Sequence, residues 1–91
     1  MKIRRARLVR EALGLTLESV SRGSSSISVA HLAGFETMRF GMGIDKLREL
    51  SAYYASVKEG DDTVADLDCS INALTDEVEV EEQRPRAEAG T

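Results

Sequence analysis

One cysteine, one histidine, one proline and no tryptophan occur in the whole chain, and aromatic residues make up only 4% of it. Cys69 has no partner for an internal disulfide, so the fold does not depend on an oxidising compartment. With His31 as the only histidine, the usual zinc ligand sets are out of reach, and a Cys/His dyad has nothing in the sequence to support it. So few aromatics suit a small helical core of Leu, Val, Ile and Ala better than an aromatic-rich sheet. No apolar run approaches the length of a membrane span, and Met1-Lys2-Ile3-Arg4-Arg5 leads into a charged amphipathic segment. Gly41-Met42-Gly43 is too short for a nucleotide-binding fingerprint, no P-loop follows it, and the acidic residues of the tail lack EF-hand spacing. The expectation is a soluble, cytoplasmic protein with no cofactor, no metal and no enzymatic activity.

What is present is a strong asymmetry of charge. Residues 1–58 hold ten Lys/Arg against five Asp/Glu, a net +5, whereas residues 59–91 hold two against eleven, a net −9; together they give the overall −4. A basic first part followed by an acidic extension is the distribution expected of a DNA-binding module joined to a solvating or partner-binding segment. Ninety-one residues allow one small domain with a tail.

The stretch from Thr16 to Phe40 organises the chain. Thr16 is suited to cap a short helix that carries Glu18 in its first turn and Leu17, Val20 and Ser21 inward; it ends near Arg22, because Gly23 and three serines cannot continue it cheaply. Ser28 offers its hydroxyl to a new helix from about Val29 to Glu36, with Leu32 and Phe35 facing inward. Two helices joined by a few residues containing Gly form the unit that lays its second helix in the major groove. Before it, residues 3–13 predict a helix with Ala6, Val9 and Leu13 on one face, stopped by Gly14. After it, residues 44–55 predict a scaffold helix with Ile44, Leu47, Leu50 and Tyr54 recurring at three and four and Asp45 in its first turn.

The run ARLVREALGLTLESV, then SISVAHLAGFE, then GIDKLRELSAYY resembles the lambda-repressor-like, or Cro-like, helix-turn-helix family, also called the xenobiotic-response-element family, over residues 4–57. The strongest pieces are Arg10 before Gly14-Leu15-Thr16, Ile27-Ser28 opening the second helix, and Phe35-Glu36 closing it. The resemblance implies an all-α, compact four- to five-helix domain with an acidic C-terminal extension. It also implies a paired Arg10 and Glu36, and the role of a bacterial or phage-encoded transcriptional regulator that represses from a double-stranded DNA operator. The chain departs from the family pattern at Leu17, where Gln is usual, in a longer turn, and at Gly34, where a long polar side chain is frequent. The expected core is Val9, Leu13, Leu17, Val20, Ile27, Leu32, Phe35, Ile44, Leu47 and Leu50.

For such a domain, base edges are read from the N-terminal turn of the recognition helix: Val29, Ala30 and His31, with Ala33 or Gly34 against the backbone or base methyls. Arg5, Thr16, Ser26, Ser28 and Arg39 are the expected phosphate contacts. His31 and Arg39 each have a plainer reading as ordinary surface residues.

The domain is expected to span residues 1–58, an amphipathic helix residues 59–81, and a disordered acidic tail containing Pro85 residues 82–91. Within the helix, Val64, Leu67, Ile71, Leu74 and Val78 repeat at three and four, the spacing of a packed seam. Periodicity does not decide whether the seam packs on its own domain or on a second subunit, and a homodimer on palindromic half-sites is expected. Glu77 to Glu81 alternates and reads alternatively as a short edge strand. The rival function is an antitoxin or protein-interaction module that binds a partner protein through the acidic extension.

Overall fold

The computed structural model describes residues 1–24 and 26–80. The chain runs β1 (Lys2–Arg4), α1 (Arg5–Ala12), α2 (Leu17–Gly23), α3 (Val29–Glu36), α4 (Ile44–Glu59), one 3-10 turn (Asp62–Val64), α5 (Ile71–Thr75) and β2 (Glu77–Glu79). The architecture is mostly helical, with five helices and a two-stranded antiparallel sheet that joins the ends of the described chain.

Local chemistry explains most helix boundaries. Thr16 accepts from the backbone N–H of Ser19 while Ser19 Oγ accepts from that of Thr16, a reciprocal box that satisfies two otherwise unpaired donors at the start of α2. Ser28 caps α3 by accepting from the N–H of His31, and Ser70 caps α5 by accepting from that of Ala73. Among the described residues α1 and α3 end in the same way, with a left-handed residue just beyond the cap. After α1 it is Gly14 (φ 72°), with Gly14 N–H on Glu11 O and Leu15 N–H on Arg10 O. After α3 it is Met38 (φ 69°), with Met38 N–H on Phe35 O and Arg39 N–H on Gly34 O.

Glycine takes this conformation without strain, whereas a side chain there costs roughly 1–2 kcal/mol. Met38→Gly is therefore expected to stabilise the protein by about 0.5–1 kcal/mol, after allowing for the extra chain entropy that glycine loses on folding. Gly14→Ala should destabilise it by a similar amount, because no atom lies within 4 Å of the added Cβ and only the backbone conformation is at issue. Urea midpoints at unchanged slope measure both; midpoints that move in the same direction for the two variants would contradict this account.

The core is one cluster: Ala6, Val9 and Leu13 from the first helix, Val20, Ile27, Leu32 and Phe35 from the α2–α3 unit, Leu47, Leu50 and Tyr54 from α4, and Cys69 and Leu74 from the last segment. Each fully buried Leu or Phe contributes on the order of 1.5–3 kcal/mol through removal from water. Leu17 packs against this cluster half-buried, but Ile44 stands 52% exposed at the first turn of α4 rather than in the core.

Three further expectations are corrected. Helix α1 starts at Arg5, not residue 3, because Ile3 pairs with Val78 across the sheet, and Lys2 and Arg4 lie opposite Glu79 and Glu77. Lys2 opposite Glu79, with the N-terminal amine 2.7 Å from the Glu79 carboxylate, favours this register.

The continuous amphipathic helix expected within residues 59–81 does not form. Asp61 accepts from Thr63 N–H and Asp68 from Ser70 N–H, local bonds that compete with a helix ladder. Lys58 Nζ donates to Leu67 O and Ser51 Oγ to Cys69 O, so α4 supplies donors to the irregular segment in place of helical ones. Val64, Leu67, Ile71, Leu74 and Val78 are thus divided among the 3-10 turn, the segment after it, α5 and β2 and do not form one seam on a single helix; Leu74 is wholly buried in the chain's own core.

Nor does residue 58 bound a separate unit, since Cys69, Ala73 and Leu74 are buried and β2 completes the sheet with β1. The expected tail at 82–91 lies outside the described residues.

Candidate functional site

The sequence of α3, VAHLAGFE, places Leu32, Phe35 and Glu36 on the buried side and Val29 and Ala30 on the exposed side, with Ala33 half-exposed and Thr37 exposed just after its end. Besides the core packing of Leu32 and Phe35, an ion pair ties the helix in this orientation. Arg10 Nε donates to Glu36 Oε2 at 2.8 Å and Arg10 Nη2 to Glu36 Oε1 at 3.0 Å, a two-pronged contact, while Nη1 donates to Leu15 O at 2.9 Å. Glu36 is only 3% exposed. Its hydrogen bonds hold the Arg10 guanidinium above its ordinary pKa, more than offsetting the opposing effect of burial.

Tyr54 lies fully buried, with no hydrogen-bond partner for its hydroxyl among the described residues. Burial first, and the negative charge of Glu36 second, push the phenol well above its ordinary value. The folded protein therefore keeps the phenol proton more tightly than the unfolded chain does. The stability linked to it is complete below about pH 10 and falls as pH rises beyond that point. Tyr54→Phe should flatten this alkaline loss, as read from urea midpoints between about pH 8 and 11; equal losses in both proteins would contradict the linkage.

A second support comes from the strand residue Arg4. Its Nη1 donates to the carbonyls of Phe35 (2.6 Å) and Phe40 (2.9 Å), and its guanidinium lies 4.5 Å from the Phe35 ring centroid. Arg4 thereby ties the sheet to the loop that follows α3. Sequence reading had no signal for this role, because both acceptors are backbone carbonyls more than thirty positions away.

The expected site residues separate as follows. Val29 and Ala30 are exposed at the first turn of α3, and His31 beside them is half-exposed, its Nε2 3.3 Å from Gly41 O. Gly34 is buried, and its place in the base-contact set is corrected: the Phe40 ring covers it, so closely that a Cβ there would lie 2.1 Å from Phe40 Cδ2. Thr16 and Ser28 stand exposed at the starts of α2 and α3 with their hydroxyls in the caps. Ser26 is exposed but donates to the Glu49 carboxylate.

Arg39 is exposed and makes no ion pair among the described residues. Arg5 instead donates twice to Asp76 Oδ2, at 3.1 and 2.9 Å, in a hollow also lined by Asp68. Those acids offset the positive charge that Arg5 would offer a phosphate. Ala30, Ala33, Gly34, Thr37, Arg39 and Phe40 line an open cleft of about 410 Å³ along α3. No group of three or more His, Cys, Asp or Glu suited to a metal occurs among the described residues, and no described helix is long and apolar enough to cross a membrane. Compared with protein-family models, with curated proteins and with solved structures, the chain matches none.

Proposed function

We propose that the chain is a sequence-specific double-stranded DNA-binding regulator in which α2, the turn and α3 act as a helix-turn-helix and α3 enters the major groove. The observation that carries the reading is the disposition of α3. Its only acid, Glu36, is turned inward and neutralised by Arg10, while its outward face holds small side chains that let a helix approach base edges closely. The exposed Arg39 at its end, the capped starts of α2 and α3, and the net +5 of residues 1–58 complement a phosphate backbone. Two copies on a palindrome, with half-sites about 10 base pairs apart, belong to the same proposal. Repression is the regulatory outcome that the helix-turn-helix resemblance favours.

Selection of bound duplexes from a random pool by the full chain tests the reading. Enrichment of one sequence, with affinity that falls steeply as salt rises, is the expected result; no enrichment, or salt-insensitive retention, would overturn it.

The exposed acids Asp62, Asp66, Asp68, Glu77 and Glu79 favour a second reading, in which the chain also engages a protein partner, as antitoxins do. Deleting residues 59–91 cannot separate the two functions, because that segment supplies core and sheet. Charge reversal at the exposed Asp62 and Asp66 keeps the fold and is the suitable probe: partner binding would be lost while DNA affinity persists.

A further inference from the structure

We propose that this surface reads thymine: the Phe40 ring, laid over Gly34 beside the outward alanines of α3, recognises the C5-methyl groups of thymines in the major groove. The inference rests on the DNA-binding reading above and specifies what that reading leaves open. Gly34 has no side chain, and the Phe40 ring occupies the space in which one would project. The chemistry that α3 offers at this point therefore belongs to a residue outside the helix.

The backbone of Phe40 is anchored at both its N–H and its carbonyl, and its ring has an aromatic neighbour. Phe40 N–H donates to Gly34 O at 3.2 Å, Arg4 donates to Phe40 O at 2.9 Å, and the His31 ring meets it edge-on, with centroids 6.2 Å apart. Yet Phe40 remains 52% exposed. Such anchoring of a half-exposed aromatic is unlike a side chain left on the surface at random.

Around it most of the cleft wall is carbon. Ala30 and Ala33 present methyl groups, and Thr37 turns its hydroxyl back to donate to Ala33 O at 2.9 Å. The outward face of α3 carries no Arg, Lys, Asn or Gln, so the bidentate bonds that pick out guanine or adenine have no source there. The base-edge group that apolar side chains recognise in the major groove is the thymine methyl. Charge complementarity fixes the occupant as nucleic acid rather than an apolar peptide: Arg39 lines the same cleft, and residues 1–58 carry the net positive charge.

The test uses the full chain and a duplex of about 20 base pairs enriched by it from a random pool, long enough for two half-sites. Each thymine is replaced in turn by deoxyuridine, which removes the methyl group and leaves the hydrogen-bonding edge intact. Affinity is expected to fall about threefold to fivefold for each contacted methyl, the equivalent of one buried methylene, and to stay level at the other thymines. Phe40→Ala should lose this discrimination at one contacted position in each half-site and keep it at the rest.

A duplex bound equally well with uracil at every position would overturn the proposal while leaving DNA binding intact. Full discrimination by Phe40→Ala at every position would remove Phe40 as a reader and direct attention to a protein ligand for the ring. A pool from which nothing is enriched would defeat the DNA-binding reading itself. Because the uracil scan alters the DNA alone, its result does not depend on how the variant folds.

Discussion

Glu36→Ala is expected to destabilise the protein by about 3–5 kcal/mol, because it leaves the Arg10 guanidinium largely buried without its counter-charge. Arg10 and Glu36 meet through two hydrogen bonds at a site where Glu36 is almost fully enclosed. Native domains are stable by only about 5–15 kcal/mol, so the loss is a large share of the whole. In a domain of this size it corresponds to a fall in Tm of roughly 15–30 °C. The double variant Arg10→Met with Glu36→Leu should recover much of the loss, since no unpaired charge remains. A Glu36→Ala protein that melts like the parent would mean the pair contributes nothing to holding α3 in place.

Ala33→Glu is expected to lower DNA affinity by more than about a hundredfold at nearly unchanged stability. A carboxylate on the outward face of α3 would meet the phosphates and the acceptor-rich groove at close range, where like-charge contact costs several kcal/mol. Ala33 is half-exposed and lines the cleft, so the new side chain has room and the fold should tolerate it to within about 0.5 kcal/mol. Ala65→Glu adds the same charge at an exposed position in the acidic second part and serves as the control. Anisotropy titrations at fixed salt measure the difference. Equal, small losses for the two variants would show that net charge alone matters and that α3 is not the contact surface.

The elements legible in the sequence were those whose signals are local. Thr16 and Ser28 announce helix starts through their own hydroxyls, and Leu32, Phe35, Leu47, Leu50 and Tyr54 recur at helical spacing on the sides they bury. The failures share a cause in long-range pairing. Ile3, Ala6 and Val9 are spaced by three and fit a helix as well as a strand followed by a helix; only the partner Val78 decides between them.

The apolar repeat from Val64 to Val78 reported burial correctly for Leu74 and falls on a helix only from Ile71 to Thr75, not on one continuous helix. Asp61, Asp68 and Ser70 divert the backbone into local turns and caps, and Lys58 and Ser51 donate side-chain bonds to the carbonyls of Leu67 and Cys69. On the candidate site, periodicity identifies Val29, Ala30 and Ala33 as outward residues but cannot foresee that Phe40 folds back over Gly34. That placement depends on the left-handed turn at Met38, a conformation that a methionine does not advertise.

The central claim, that α3 is the surface that meets DNA, is tested most directly by titrating the isotope-labelled full chain with its selected duplex and following backbone amide shifts. The account predicts the largest changes from Val29 to Ala33 and at Arg39 and Phe40, with the amides of Ile71 to Glu79 little affected. Changes confined to Asp62–Glu79, or none at concentrations that saturate a shift assay, would contradict it.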